Sequence, residues 1–221
     1  MLERKKKYLQ LAFNADIATV AKILPQIPFD ERILIEAGTP FIKREGKKGI
    51  KYIADNWKGE VVADLKTLDG AIGEVELAHS AGATAATVCG SAPPETLNLF
   101  ISKCKELEMD SIIDMIYVQN PLKVLMSLKE PPTVVELHKG RDEEATRGKI
   151  IQYQNIRKIR SKYDVMISAA GGIDIKEATS AIFNGVDIVV VNIVRPEDPW
   201  IGIKTTEEVK EMVKKFLELL K

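Results

Sequence analysis

Short apolar runs typical of β-strands alternate along this chain with stretches of helical apolar spacing. One strand and the helix that follows it take roughly 20 to 30 residues, which is the size of a βα unit. The repeat predicts an α/β fold with a parallel sheet. The eight runs are Leu9–Phe13, Ile33–Ile35, Val61–Ala63, Ala85–Cys89, Ser111–Ile116, Val134–Leu137, Val165–Ala169 and Asp187–Val191.

Most of these strands are apolar on both faces, as expected when helices cover both sides of a parallel sheet. Eight successive right-handed units close most simply into a (β/α)8 TIM barrel, and a doubly wound open sheet is the alternative. No linker divides the chain, so we expect a single domain over residues 1–221. Helical spacing is seen at Ile17–Leu24, Val75–Ala81, Thr96–Leu107, Pro121–Leu128, Ile150–Lys162, Ile175–Asn184 and Thr205–Leu220.

The overall composition argues against several classes of partner. The chain has 32 acidic and 32 basic residues, so no net charge attracts nucleic acid or a membrane surface. No apolar run approaches the length of a transmembrane helix. Two cysteines provide no disulfide framework, and the first residues do not resemble a signal peptide. We therefore expect a cytoplasmic protein.

The most informative local feature is a pair of opposite charges at the end of the third strand. Asp64 and Lys66 follow the apolar run Val61–Ala63, and their spacing places both side chains on one face of a strand. Burying a carboxylate and an ammonium costs several kcal/mol each, even when they are paired. Such charges are therefore expected where they have a chemical role, and Asp69 follows just past the strand.

Polar residues gather at the carboxyl ends of the predicted strands. In barrels of this class the active site is built at that face from several strands. Five of the eight ends carry ionisable groups of catalytic type, and the pattern predicts an active site there. The residues are Asn14, Glu36, Asp64 with Lys66, Cys89 and Gly90, Asp114, His138, Gly171 and Gly172, and Asn192.

Several of these residues also have a purely structural interpretation. Glu36 could pair with Lys66 inside the barrel, and Asp114 could cap backbone amides. His138 could be a structural histidine, although its position at a strand end favours a functional one. Asn14 is equally well explained as a turn residue.

The residue types favour metal-assisted chemistry on a phosphorylated ketose. Glu36 and Asp64 together can hold Mg²⁺, which proteins bind through one or two carboxylates. The metal and Lys66 would stabilise the negative oxygen of an enediolate. His138 has the intrinsic pKa of a proton acceptor near neutral pH.

A phosphate site is predicted after the seventh strand. The barrel's usual phosphate site lies after strands 7 and 8. Gly171 and Gly172 allow close approach of the backbone, and a helix beginning near Asp174 offers free N–H groups. Glu177 follows Asp174 by three positions, a spacing typical of a capping box.

With these residues identified, the chain resembles the orotidine 5′-monophosphate decarboxylase suprafamily. The shared mark is Asp-x-Lys-x-x-Asp, here Asp64, Lys66 and Asp69. Residues 36–40, 63–67 and 170–172 are similar to the 3-hexulose-6-phosphate synthase group, and the resemblance runs along nearly the whole chain. Residues 135–138 resemble its archaeal form, which is often fused behind a formaldehyde-activating domain not found in these 221 residues.

The resemblance implies a magnesium-dependent aldolase that joins formaldehyde to D-ribulose 5-phosphate, or catalyses the reverse cleavage. It implies that Glu36 and Asp64 bind the metal and that Lys66 hydrogen-bonds the enediolate. His138 would move the proton at C1, and Asp114 would bind substrate hydroxyls. The implied fold is again a TIM barrel.

The resemblance also implies a homodimer in which Asp69 reaches into the neighbouring subunit's site. Asn14 stands where many relatives carry aspartate. Asn192 and Arg195 occupy the region of the usual Gly-Arg phosphate grip, so we expect both to contact substrate.

Three other functions stay open at this point. His138 and Arg141 resemble the His-x-x-Arg of 3-keto-L-gulonate-6-phosphate decarboxylase, which makes Arg141 a further candidate for substrate binding. A non-catalytic phosphosugar-binding paralogue would use the same barrel. Orotidine monophosphate decarboxylase is disfavoured because its longer charge array is not matched. The polar segment 142–148 is a candidate for covering the site, and the long segment 193–204 could either cover the phosphate or form an interface.

Overall fold

The described residues form one closed parallel barrel, as the alternation predicts. The computed structural model describes residues 1–144 and 150–220. Each strand pairs with the next, and the first also pairs with the eighth, which closes the sheet. The barrel strands are β1 (Tyr8–Phe13), β2 (Ile33–Ala37), β3 (Val61–Thr67), β4 (Ala85–Cys89), β5 (Asp110–Asp114), β6 (Val134–His138), β7 (Met166–Ala170) and β8 (Ile188–Val194).

Helices follow the strands on the outside of the barrel. Proline stands in the first turn of the second helix, which is interrupted at Gly46 (φ 61°). In the described part of the chain, no helix combines the length and the apolar character that crossing a membrane requires. The helices are α1 (Ile17–Ile23), α2 (Thr39–Asn56), α3 (Ala71–Ser80), α4 (Pro94–Glu106), α5 (Pro121–Leu125), α6 (Arg141–Glu144), α7 (Gln154–Arg160), α8 (Ile175–Phe183) and α9 (Val209–Leu219).

The TIM barrel prediction is confirmed, and several element boundaries differ from the sequence prediction. β5 stops at Asp114 because its carboxylate accepts the N–H of Ile116 at 2.9 Å, which turns the chain. β8 runs on to Val194 because a ninth short strand, β9 (Ile203–Lys204), pairs beside it. Asn192 therefore lies within a strand rather than after it.

Two other predicted segments also differ. The last helix begins at Val209 rather than at Thr205, whose N–H donates to the Val194 carbonyl at 2.9 Å and belongs to the turn after β9. The segment 193–204, expected as a loop, begins and ends in strand. Of the other segment expected to cover the site, residues 145–148 lie outside the described part of the chain.

Side chains inside the barrel form rings because alternate residues of a strand point inwards. The lower ring is apolar and takes one residue from each of β1–β8, with Leu2 packed against it. Two residues further along each strand lies a second set, the polar ring, in which only β8 contributes an apolar side chain. The lower ring is Tyr8, Leu34, Val62, Ala85, Ile112, Val134, Met166 and Ile188, and the polar ring is Gln10, Glu36, Asp64, Thr87, Asp114, Glu136, Ser168 and Val190.

Candidate active site

A cavity of about 260 Å³ opens above the polar ring, at the carboxyl ends of the strands. An adjoining cavity of about 340 Å³ lies outside β5 and β6 and shares His138. Ionisable side chains from β2, β3 and β6 face the first cavity, so it is the candidate active site. Its lining includes Asn14, Glu36, Thr39, Asp64, Lys66, Glu136, His138, Arg141, Gly171 and Asn192.

Lys66 is the central cation of this site. Its Nζ lies 2.9 Å from Asp64 Oδ1 and 2.7 Å from Asp114 Oδ2. Burial alone lowers the pKa of Lys66, but these two carboxylates outweigh it and hold the pKa above its usual value. Lys66 has a φ of 49°, in the left-handed region that side chains rarely adopt, and its N–H donates to Thr87 Oγ1 at 2.9 Å. The strand register shifts at this point, which turns the ammonium between the two aspartates.

Asp64 is held by hydroxyl groups as well as by the ammonium. Thr39 Oγ1 donates to Oδ2 at 2.6 Å, and Thr87 Oγ1 donates to Oδ1 at 2.8 Å. Burial raises the pKa of the Asp64 carboxyl, but the Lys66 ammonium and these hydrogen bonds outweigh that effect, so the pKa is lowered. Asp64 is therefore an ionised, firmly oriented carboxylate.

Asp114 lies beneath the cavity and orients two other residues. It is 0% exposed, and its carboxylate lies 3.0 Å from His138 Nδ1. Burial raises the pKa of Asp114, but the charges of His138 and Lys66 outweigh it, so this pKa is lowered. The predicted capping of a backbone amide by Asp114 is confirmed, because its carboxylate accepts the Ile116 amide, and its oxygens are also engaged by Lys66 and His138.

His138 is anchored through Nδ1, which leaves Nε2 for a ligand. Burial lowers the pKa of His138, but Asp114 outweighs it and the pKa is raised to about 9. In this structure the imidazole is therefore an acid at neutral pH, and it becomes a base when its proton is removed.

Two further carboxylates, those of Glu36 and Glu136, face the cavity with few hydrogen-bond donors to stabilise their negative charge. Glu36 accepts the amide of Gln10 at 2.7 Å, and Glu136 accepts the hydroxyl of Ser168 at 3.0 Å. Burial and the nearby charges of Asp64 and Glu136 raise the pKa of Glu36 to about 8. Burial and the charge of Asp114 raise the pKa of Glu136 to about 7. Glu36 does not pair with Lys66, whose ammonium is held by the two aspartates.

The charges and donor atoms of the cluster fit a divalent cation. Four carboxylates (Glu36, Asp64, Asp114 and Glu136) surround two cationic side chains, which leaves two excess negative charges when all are ionised. Ligand atoms of Asp114, Glu136 and His138 come within 4.8 Å of one another, and this group could hold a metal ion. Among the described residues, the buried Gln10 Oε1 beside Glu36 has no hydrogen-bond partner, so a further hard oxygen is present.

Other predicted residues line the upper wall of the cavity. Asn14 Nδ2 donates to Asn192 Oδ1 at 3.0 Å, which joins β1 to β8 across the barrel closure. Gly171 has a φ of 101°, and a Cβ there would lie 1.9 Å from the Lys139 carbonyl oxygen. Gly172, with a φ of 65°, is buried behind it. The helix start at Asp174 is confirmed, since its carboxylate accepts the Glu177 amide at 2.8 Å.

Two predicted residues do not reach this cavity. The Asp69 side chain is exposed, and its Oδ1 accepts the N–H of Gly70 at 2.8 Å. The Arg195 guanidinium is paired with Asp16, the residue that caps α1. Arg141 does line the cavity, and its guanidinium carbon lies 5.0 Å from the ring centre of Trp200.

Comparison with known proteins identifies the family of this barrel. The family model described as Orotidine 5'-phosphate decarboxylase / HUMPS family matches residues 7–199. The chain belongs to this family of enzymes. It is 37% identical over 216 residues to the "Bifunctional enzyme Fae/Hps" of Methanothrix thermoacetophila, a match that covers 97% of this chain and 53% of that protein. The chain thus spans about half the length of the curated relatives it matches.

Solved structures of two named enzymes share the barrel. The 3-hexulose-6-phosphate synthase of Salmonella typhimurium is 27% identical with a TM-score of 0.79, and the match covers 96% of this chain and 98% of that one. The 3-keto-L-gulonate-6-phosphate decarboxylase of Vibrio cholerae is 21% identical with a TM-score of 0.73, over 97% of each chain, which shows a common fold.

Sequence reasoning missed several site residues of this family member. Glu136 is the most important, because it adds a carboxylate to the cavity wall. It precedes His138 by two positions in a buried strand, and the two-residue alternation within strands could have found it. The same alternation places the hydroxyl groups of Thr87 and Ser168 on the inner face, but it cannot show their partners, which come from other strands. The missed residues are Gln10, Thr39, Thr87, Glu136 and Ser168.

Proposed function

We propose that this chain is a magnesium-dependent aldolase that condenses formaldehyde with D-ribulose 5-phosphate to D-arabino-3-hexulose 6-phosphate, and that it also catalyses the reverse cleavage. The observation that carries the proposal is the Lys66 ammonium held between Asp64 and Asp114, with His138 on the same Asp114 carboxylate. This arrangement lies in a chain similar to proteins named Fae/Hps and 3-hexulose-6-phosphate synthase.

The residues divide the reaction between charge stabilisation and proton transfer. Removal of a proton from C1 of the ketose gives an enediolate. Its electron pair forms the bond from C1 to the formaldehyde carbon as the π bond of the formaldehyde C=O breaks, and the resulting alkoxide takes the proton that His138 removed from C1. Lys66 donates a hydrogen bond to the enediolate oxygen, where negative charge develops. Neutral His138 takes the C1 proton during condensation, and charged His138 returns it during cleavage. Asp114 accepts hydrogen bonds from both Lys66 and His138 and so fixes their positions relative to each other.

The carboxylates of Glu36, Asp64 and Glu136 would hold Mg²⁺ in this proposal. When bound, the cation supplies positive charge beside the substrate oxygens. Glu36 and Glu136 have few hydrogen-bond donors around them, so a cation is the natural partner for their charges. Asn14, Asn192 and the Gly171 backbone would then contact the sugar phosphate on the opposite wall.

The test is consumption of formaldehyde with D-ribulose 5-phosphate, measured with Mg²⁺ and with chelator. Consumption that requires Mg²⁺ is the expected result. Release of carbon dioxide from 3-keto-L-gulonate 6-phosphate, without formaldehyde consumption, would assign the chain to the sister decarboxylase instead. The spacing of His138 and Arg141, both of which line the cavity, is the feature that favours this second candidate.

A homodimer with shared sites is also part of the proposal. Asp69 lies outside the cavity of its own barrel, and two apolar neighbours, Leu68 and Ile72, are 55% and 44% exposed. A second copy of the chain would cover these side chains and accept Asp69 at its own cavity.

Mixing two inactive variants tests the shared site. Asp69→Ala and Lys66→Ala subunits each lack one contribution, and a mixed dimer regains one complete site. We expect partial activity in the mixture and none in either variant alone. A mixture as inactive as its parts, in a preparation shown by light scattering to contain dimers, would rule out the exchange of Asp69.

Cytoplasmic location remains an expectation within this proposal. Cys89 and Cys104 are free and buried, and neither forms a disulfide. Reduced thiols are usual in the cytosol. Fractionation of the source cells, with this chain detected by antibody, would test it.

A further inference from the structure

The side chains of Arg141 and Trp200 join two segments that border the cavity. Arg141 begins α6, directly after β6, and lines the cavity. Trp200 lies between β8 and β9, the strands that flank the segment holding it. The guanidinium carbon stands 5.0 Å from the centre of the indole ring, within the range of a cation–π interaction.

The segment that carries Trp200 is fixed by contacts on both sides of it. Asn192 Nδ2 donates to the Ile201 carbonyl at 3.3 Å, and Lys204 Nζ donates to the Asp198 carbonyl at 2.7 Å. A Cβ at Gly202 would lie 2.3 Å from the Asn192 carbonyl oxygen, so this segment packs directly on β8. Trp200 is therefore presented from a braced segment rather than from a free loop.

Asn192 also links the Trp200 segment to the cavity wall. Its Oδ1 accepts the amide of Asn14, while its own amide holds the Ile201 carbonyl. The wall of the cavity and the backbone next to Trp200 are thus parts of one hydrogen-bonded unit.

A guanidinium held over the face of an aromatic ring still has donors to offer a ligand. Arginine has five N–H groups, and the contact with the indole ring leaves some of them available to an anionic oxygen. A stacked arginine also loses less conformational freedom when a ligand binds, because its position is already restricted.

We propose that Trp200 is a positioning residue: its indole holds the Arg141 guanidinium at the cavity mouth, where Arg141 binds an anionic oxygen of the phosphorylated ketose. The inference rests on the proposed function for the identity of that ligand. It assigns to the segment between β8 and β9 a role in substrate affinity.

Steady-state kinetics with D-ribulose 5-phosphate separate this role from a general loss of structure. Trp200→Ala should raise KM on the order of tenfold, with a smaller change in kcat, because it removes the stacking partner. Trp200→Phe keeps an aromatic face and should recover most of the affinity. Phe183→Ala, which removes an aromatic side chain that is 90% exposed on α8, is the control and should leave KM unchanged.

A double-mutant cycle tests whether Trp200 acts through Arg141. In an Arg141→Gln background, Trp200→Ala should change KM by less than twofold, since the group it positions is already gone. Full additivity of the two effects, or an unchanged KM in Trp200→Ala alone, would overturn the proposal while leaving the aldolase function intact.

Fluorescence tests the contact without substrate, and so without depending on the proposed function. The chain has two tryptophans, and Trp57→Phe leaves Trp200 as the single emitter. Trp57 packs against Phe29, and its Nε1 has no partner among the described residues, so phenylalanine is a mild replacement. In that background Arg141→Gln should shift the emission of Trp200. Identical spectra would show that the stack does not exist in solution and would overturn the inference.

Discussion

The lower ring and the polar ring lie two residues apart on the same eight strands, yet they differ in almost every property. The lower ring packs apolar side chains against one another and ends in Leu2. The polar ring places four carboxylates, an amide and two hydroxyl groups at the same depth in the strands. One strand set thus supplies a packed base and a reactive layer above it.

The difference shows how the barrel can keep buried charges. Apolar packing stabilises the fold in proportion to the surface it removes from water. Buried charges work against stability unless they are paired, and Glu36 and Glu136 are poorly paired. We infer that the lower ring and the helices stabilise the barrel. The polar ring lowers the stability of the barrel and holds the groups of the candidate active site. The predictions below test that division.

The largest effect is expected in the polar ring, at Lys66. Lys66→Ala removes the hydrogen bond to the developing oxyanion and should lower kcat by about a thousandfold or more. Circular dichroism should show an intact barrel, because the lower ring is untouched. Lys51→Ala, at an exposed ion pair on α2, is the matched control and should keep full activity. Undiminished turnover in Lys66→Ala would contradict the assigned chemistry.

A substitution in the lower ring should have the opposite profile. Ile112→Ala leaves a cavity among fully buried side chains and should lower the free energy of unfolding by about 3 kcal/mol. KM and kcat should change little at a temperature where the variant is folded. Denaturant titration measures the loss, and Ile150→Ala, which removes an isoleucine that is 66% exposed, serves as control. If Ile112→Ala lowered kcat as much as Lys66→Ala, the division between the rings would not hold.

The pH dependence of stability should come from the polar ring. The pKa values of Glu36, Glu136 and His138 are raised to about 8, 7 and 9, so the native state keeps protons that the unfolded chain releases at lower pH. Their contribution to stability is present below the unfolded pKa values and is lost as pH rises through the folded ones. With chelator present, the free energy of unfolding should fall by several kcal/mol between pH 6 and pH 9.

Magnesium should flatten this profile, because the cation compensates the ionised carboxylates. Glu36→Gln should make the profile less steep without metal, because it removes one of the three groups that titrate. Melting temperatures measured across the pH range, with Mg²⁺ and with chelator, provide the comparison. A chelated protein whose melting temperature is constant from pH 6 to pH 9 would contradict the assignment.

The smallest effect is expected at Ser168, which supports the polar ring through one hydrogen bond. Ser168→Ala removes the hydroxyl donor of Glu136 and should cost about 1 kcal/mol of unfolding free energy. It should also weaken the retention of Mg²⁺, measured by calorimetry, because Glu136 loses its orientation. The control is Ser127→Ala, whose exposed hydroxyl donates to the Val124 carbonyl. Equal unfolding free energies and equal Mg²⁺ affinities in the two variants would show that Ser168 does not support Glu136.

The sequence predicted the barrel well because its signal is repeated eight times. Most strand runs, such as Ala85–Cys89, are bounded by helical spacing, and errors at one end do not affect the others. The exception is the stretch before Val61, where α2 (Thr39–Asn56) was not predicted. The boundary errors arose where long-range pairing decided the structure. β8 continues because β9 lies beside it, and nothing local to Ile193 indicates that partner.

The site was predicted in outline for the same reason. Position at a strand end identified Glu36, Asp64, Lys66 and His138, since the fold brings all strand ends together. Side-chain pairings between different strands could not be predicted from the sequence. The alternative in which Glu36 pairs with Lys66 is wrong, because the Lys66 ammonium lies between Asp64 and Asp114.

The closure of β1 against β8 also bears on how the protein refolds. Tyr8 pairs with Ile188, so this contact joins residues near the two ends of the sequence. Contacts of such high sequence separation form late, because the entropy of the intervening loop is lost before they are made. Until β1 pairs with β8, water reaches the carboxylates of β2, β3, β5 and β6, and their pKa values stay close to those of the unfolded chain. We therefore expect the shifted acidities, and with them catalytic competence, to be acquired in the last kinetic phase of refolding.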